Sequence, residues 1–178
     1  ALKPRTAIIM AAFLNFFGAM YSTGVAKTIG GDIVKSAEHI DEHIIVAALI
    51  GAIVWNLFTW WIAMPSSSSH ALVGGIIGAV LVSTGAIGLN FWGIGKIVLS
   101  LILSPIIAIV VGFIIMNIFY LLFGKFRPSS LNNKFKRMQI ITAATMAFSH
   151  GSNDAQKSMG IITLALLSGG YIGALEVP

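Results

Sequence analysis

Uncharged apolar runs of membrane-crossing length follow one another along this chain, and no other feature restricts its fold so strongly. Residues 6–26 and 44–64 each run 21 residues without a charge. At about 1.5 Å per residue that is ~31 Å of helix, which matches a hydrocarbon core of ~30 Å. A third run, 71–89, is rich in Gly and Ala, and a fourth, 97–123, has Pro105 inside it, so tilt or a kink is expected there. The last run, 138–175, is interrupted by Ser149-His150-Gly151-Ser152-Asn153-Asp154 and by Lys157. Composition agrees on the solvent: 57% of residues are hydrophobic and only 10% are charged. A soluble domain carries about a quarter charged residues to face water. Lipid is therefore the main solvent, and the expected fold class is all-α, a polytopic transmembrane helical bundle.

The charges that remain are placed by topology. The chain has a net charge of +5, but Lys125, Arg127, Lys134, Lys136 and Arg137 fall in one short basic loop, 124–137, between apolar runs. Such a loop orients a membrane protein, and no basic surface suited to nucleic acid is built from it. With that loop cytoplasmic, run 97–123 enters from outside, 71–89 exits, 44–64 enters and 6–26 exits. Lys3 and Arg5 then lie inside, and the loop 27–43, which holds Asp32, Glu38, Asp41 and Glu42, lies outside. If 71–89 re-enters instead of spanning, the parity upstream of it changes. Trp60, Trp61, Trp92 and Tyr120 sit near run ends, as an interfacial belt requires, whereas the more central Trp55 is expected to pack. Gly74/Gly78 and Ala108/Gly112 would permit close helix contact. Lys27 and Lys96 flank runs and can snorkel to an interface. Asn15 and Asn56, inside runs, either link helices or line a path. Cysteine is absent, which excludes disulfides and thiolate metal sites.

Two polar interruptions carry the chemistry. Pro65-Ser66-Ser67-Ser68-Ser69-His70 opens a run that can be helical. Serine is a favoured N-cap, and the first amides of a helix lack internal partners and point outward with the positive dipole end. Hydroxyls beside them would make an anion site, although an ordinary Pro-Ser turn is the simpler explanation of the motif taken alone. The second interruption places His150, Asn153 and Asp154 well inside a run. An aspartate at that depth costs about 2.5–3.5 kcal/mol and is tolerated where it lines a cavity or binds an ion. Gly151 and Ser152 suggest an unwound turn whose carbonyls could coordinate a cation. An internal ion pair with Lys157, three positions on, is the competing explanation. His39-Ile40-Asp41-Glu42-His43 fits the H-x-x-E-H pattern of a zinc-hydrolase class, but a solvated loop explains it better.

With both interruptions in view, the chain resembles the PiT family of inorganic phosphate transporters, most closely its bacterial low-affinity branch. The matching stretches are Gly24-Val-Ala-Lys-Thr-Ile-Gly30, Gly51-Ala-Ile-Val-Trp-Asn-Leu57, Pro65 to Gly75 and Ser149 to Ile161, in the family's order and spacing. The resemblance implies an inverted-repeat transporter architecture with helix breaks or a re-entrant hairpin at the binding site. Residues 1–123 would belong to the first repeat, and 138–178 would open the second. The acidic signature of the first repeat is expected before Ala1 and the second Pro-Ser signature after Pro178, so the chain is expected to be an internal fragment of a single transporter domain.

The resemblance also implies roles. Ser67, Ser68, Ser69 and Asn153 would bind phosphate. Asp154, with Asn153, would hold the coupling ion, supported by His70 and His150. Lys157 stands where many relatives have a small residue or Asn, and some eukaryotic members have Glu near the position of Asn15. The coupling ion is accordingly open between sodium, proton, and proton with a metal–phosphate complex. The expected function is secondary active phosphate transport across the cell membrane, with no catalytic residue, resident metal or cofactor. The expected partners are phosphate, the cation and the bilayer, with a homodimer compatible and nucleic acid excluded. A sulfate permease of the same fold, a passive channel and a membrane-embedded zinc hydrolase using His39, Glu42 and His43 are the alternatives.

Overall fold

A computed structural model describes residues 2–35, 40–126 and 128–174, without the side chains of 128–130 and 133. Among these residues the chain is helical, apart from one isolated antiparallel bridge between Val34 and Leu89. The helices are α1 (Pro4–Tyr21), α2 (Gly24–Lys27) running into a π-turn (Thr28–Asp32), α3 (Glu42–Trp61), α4 (Ser68–Thr84) with a 3₁₀ extension (Gly85–Gly88), α5 (Phe91–Phe123) and α6 (Pro128–Ser168). Three stretches, Glu42–Trp61, Ser68–Gly88 and Phe91–Phe123, are long and apolar enough to cross a membrane. The pair α1 and α2 with its π-turn passes the same test together but bends by 59° at Ser22-Thr23. Each expected run thus contains helix, with the break in the first run and not in the last.

Helix ends follow side-chain chemistry. Ser67 is the N-cap of α4, its hydroxyl accepting from the His70 amide at 3.5 Å, and the Asn90 carbonyl oxygen caps α5 through Gly93 N at 3.2 Å. At the other end of the α3–α4 turn, Ala63 N–H donates to Trp60 O and Met64 N–H to Thr59 O, with Ala63 left-handed at φ 55°. That is the pattern of a Schellman cap, with alanine where glycine is usual, so strain is stored beside the Ser-rich turn. The expected basic loop 124–137 is corrected: the chain is helical again from Pro128, so Lys134, Lys136 and Arg137 ride the first turns of α6. Proline suits the first helical position, and lysine and arginine past the first turn are good helix formers.

The expected unwinding at Gly151-Ser152 is corrected too, because α6 runs unbroken through His150–Asp154. Its polar side chains bond within the helix: Ser152 Oγ and Asn153 Nδ2 both donate to Ser149 O at 3.0 Å. Gly151 serves close approach instead. A Cβ there would strike the Asn15 carbonyl, one at Gly18 would strike the Phe148 carbonyl, and one at Gly160 would meet the Ala26 carbonyl at 2.7 Å. α1 and α6 therefore lie backbone against backbone, and α2 meets the same helix further on at Gly160. Gly75 plays the same part between α4 and the Ala48 carbonyl, whereas Gly74, Gly78 and Gly112 meet nothing within 4 Å. Trp55, expected to pack, stays 54% exposed and leans on Phe58 with ring centroids 6.3 Å apart.

Gln156 secures the bend in the first run. It is fully buried, and its Oε1 accepts from Val25 N at 2.8 Å and Ala26 N at 3.4 Å, two of the orphan amides that open α2. Its Nε2 is buried without a partner among the described residues.

Heights along α6 fix the remaining geometry. α5 runs antiparallel to it: Gly93 abuts the Asp32 carbonyl near one end, and Phe119 and Phe123 meet Phe135 at 6.1 and 5.3 Å near the other. The α3–α4 hairpin packs Ile45, Ala48, Ile76 and Val80 around Ile161 and Leu164, while its tip, with Asn56 and Ser68, reaches only Asp154 and Lys157. From Pro105 to Phe123, α5 continues beyond that tip for roughly 27 Å at 1.5 Å per residue, presenting exposed apolar side chains such as Ile109, Phe113 and Met116. Side chains of that kind need lipid, so the tip stands within the apolar layer and the hairpin re-enters as a unit. Both arms enter and leave on one side, which leaves the direction of α1 unchanged.

Gly18→Val and Gly151→Val in the full-length protein should each destabilise by about 1–3 kcal/mol through overpacking, read as a lower Tm in detergent, with Gly78→Val unaffected; equal melting of all three would contradict the seam. Gln156→Leu should leave two buried amides unpaired, at a cost of about 1–3 kcal/mol, and speed hydrogen exchange at Val25 and Ala26. Unchanged exchange there would remove the tether.

Candidate functional site

The two polar interruptions, 84 positions apart in sequence, meet across two neighbouring cavities that share Asp154 and Lys157. The first, about 380 Å³, lies between the hairpin and α6, with Asn56, Ser68 and Ser158 among its polar lining. The second, about 740 Å³, lies between the π-turn, α4, α5 and α6. Its polar walls are Thr28, Asp32, Ser69, Lys96, Ser100, Ser104 and Asn153, with the shared pair.

Each side chain is placed by its element. Ser68 and Ser69 occupy the first turn of α4, directly after the cap, so their amides have no helical acceptor, and consecutive positions on a helix face different ways. Hence Ser68 looks into one cavity and Ser69 into the other. Asn153 and Asp154 diverge similarly on α6, with Asp154 at the ridge between the spaces. Asn56, half-buried on α3, accepts from the Ser66 hydroxyl at 3.4 Å, which ties the Ser-rich turn to the wall beside Ser68.

Asp154 is held by two neighbours on its own helix. Lys157 Nζ lies 2.5 Å from Oδ1, and His150 Nε2 lies 3.4 Å from Oδ2. Spacings of three and four residues bring these groups onto one face. The competing explanation of the motif, an internal ion pair, is thus realised, and the same carboxylate also lines both cavities. Lys157 is the more sheltered partner, its side chain 19% exposed against 46% for Asp154.

Of the residues singled out in the sequence, Ser68, Ser69, Asn153 and Asp154 come together on the cavity walls. Ser67 does not line either cavity, its hydroxyl serving the His70 amide. His70 is exposed at the turn, and His150 reaches the site only through Asp154. Asn15 is half-buried and donates to Ala11 O at 2.8 Å. In the zinc pattern, Glu42 and His43 lie exposed in the first turn of α3, and His39 is outside the described residues. Sequence reasoning missed Asp32, Lys96, Ser100, Ser104 and Gln156. The i, i+4, i+8 spacing of Lys96, Ser100 and Ser104 is a visible stripe on an otherwise apolar helix and could have been found.

Known proteins agree with this architecture. The model of the phosphate transporter family matches residues 1–132 and 125–174. The chain is 51% identical, over its whole length, to the probable low-affinity inorganic phosphate transporter of Bacillus subtilis (strain 168), 54% of which it covers. It is 42% identical over 97% of its length to the protein of that name from Mycobacterium leprae (strain TN), covering 42% of it. To the low-affinity inorganic phosphate transporter PitB of Escherichia coli (strain K12) it is 34% identical over 94% of its length, covering 39% of that protein. The chain spans about half the length of the curated relatives it matches. A solved structure titled the sodium-dependent phosphate transporter superposes with a TM-score of 0.84 over 99% of this chain and 62% of its own, at 24% identity, a likeness of fold. A family match across nearly every residue, on a bundle of membrane-length helices, makes this chain a multi-pass plasma-membrane protein of the phosphate transporter family, whose members are transporters and not enzymes.

Proposed function

We propose that the protein carries inorganic phosphate across the membrane by secondary active transport, coupled to a proton or sodium ion. The observation that carries this reading is the meeting of Ser68 and Ser69, at the tip of a re-entrant hairpin, with Asn153 and Asp154 midway along α6. Free amides at the start of α4, with the Ser68 hydroxyl on the first cavity and the Ser69 hydroxyl and Asn153 amide on the second, suit a tetrahedral oxyanion seated where the two cavities adjoin, at the positive end of a helix dipole. Discontinuous helices and interrupted hairpins at mid-bilayer depth are where transporters build such sites.

Asp154 gives the coupling its chemistry. With Lys157 on one oxygen and His150 beside the other, the carboxylate is balanced from within. A proton on Asp154, or a sodium ion beside it, competes with Lys157 for that charge and frees the ammonium for the phosphate. Cation and anion thereby favour each other's binding, which is the thermodynamic content of symport. The positive-inside rule assigns the basic start of α6 to the cytoplasm, and the Lys3-Arg5 start of the chain to the same side. The turn after α5 would then divide the first repeat from the second.

Ser68→Ala in the full-length transporter should raise the half-saturation concentration for labelled phosphate roughly ten-fold or more, since hydrogen bonds to charged groups contribute about 1.5–3 kcal/mol. Asp154→Asn in proteoliposomes should abolish accumulation driven by an imposed cation gradient. Coupled uptake that survives Asp154→Asn unchanged would overturn this mechanism.

A further inference from the structure

The second cavity has a wall that none of these roles uses. Lys96, Ser100 and Ser104 stand one turn apart on the same face of α5, each lining the space that contains Ser69, Asn153, Asp154 and Lys157. A helix this apolar bears no structural need for three polar groups in a row, because in lipid each is costly and in a wet cavity none is. Because α5 runs antiparallel to α6, the stripe rises from Ser104, near the hairpin tip, to Lys96, toward the end where the hairpin enters.

The charges facing this space are Asp32 on the π-turn, Asp154 and Lys157 on α6, and Lys96. Lys157 is committed to Asp154. Lys96 has no carboxylate within ion-pair distance among the described residues, and its ammonium sits 5.6 Å from the centre of the Trp92 ring, exposed to the cavity. The walls sum to zero formal charge, so removing Lys96 would leave a cavity dominated by Asp32, which repels an anion.

We propose that Lys96, Ser100 and Ser104 form an outer staging site for a tetrahedral oxyanion, from which it passes to the inner site at Ser69 and Asn153. This rests on the phosphate-transport reading above and adds a station to it. Lys96 attracts the anion by charge and the two hydroxyls replace its water in succession. Lys96 is thus a residue for capture and not for coupling.

The test uses the full-length protein with any other cysteines replaced, reconstituted in vesicles of phosphatidylcholine. Lys96→Gln should raise KM for phosphate several-fold while leaving uptake at saturating phosphate near its original rate, and Lys96→Arg should restore KM. In Lys96→Cys, modification by 2-aminoethyl methanethiosulfonate, which rebuilds an ammonium, should recover low-phosphate uptake, and the 2-sulfonatoethyl reagent should depress it further. Inorganic phosphate should slow modification of Ser100→Cys but not of Ile102→Cys on the opposite face. If Ser68→Ala raises KM while Lys96→Gln does not and neither reagent matters, the staging site is wrong and the transport reading stands. If neither variant alters phosphate uptake, both fail. Protection of Ser100→Cys by phosphatidylglycerol, with none from inorganic phosphate, would mean that the stripe holds a lipid headgroup and would overturn the proposal.

Discussion

A backbone amide in hydrocarbon must find an acceptor, and the architecture of this chain follows from how that demand is met where helices stop. Lipid offers no hydrogen bonds, so an unpaired group there costs several kcal/mol and breaks survive only inside protein or at a wet cavity. The chain stops twice within its apolar layer. At Ser22-Thr23 the opening amides of α2 are taken by Gln156, a side chain 130 and 131 positions away. At the hairpin tip the carbonyls of α3 are closed by Ala63 and Met64, while Ser67 takes one amide of α4. The amides left over at Ser68 and Ser69 belong to residues that line the cavities.

α6 is the fixed member against which these breaks are arranged. It holds α1 through glycine contacts, α2 through Gln156, and the outer part of the hairpin through Ile161 and Leu164. Its polar motif is helical because its side chains bond back to Ser149 and because Asp154 finds His150 and Lys157 on its own face. A rigid carrier of charge faces two interrupted elements. That division suits a protein in which breaks provide open donors and the continuous helix provides the titratable group.

The sequence was most legible where a signal is local. Run lengths gave the helices, the Ser-rich turn announced that a serine would cap the helix after it, and Asp154 was conspicuous because charge is scarce in lipid. It misled where one residue type serves two ends. Gly151 reads as a helix breaker when alone, yet here it lets α6 meet the Asn15 backbone, and only the partner helix reveals this. Gln156 has no local signature, since its work lies across the fold. Lys96 and Asp32 look like ordinary boundary charges because linear order cannot show that the π-turn and α5 face one space. The basic stretch was read as loop from its charge, although lysine and arginine favour helix as readily as surface.

Pro105 has one consequence of its own. Proline has no amide hydrogen, so the carbonyl of Leu101, four positions earlier, loses the donor every other residue of a helix interior would receive. Leu101 stands on the wall of the larger cavity, beside Ser100 and Ser104. The one interrupted rung of α5 thus falls on the turn that carries its polar stripe, and not on the apolar length between Ile109 and Phe123.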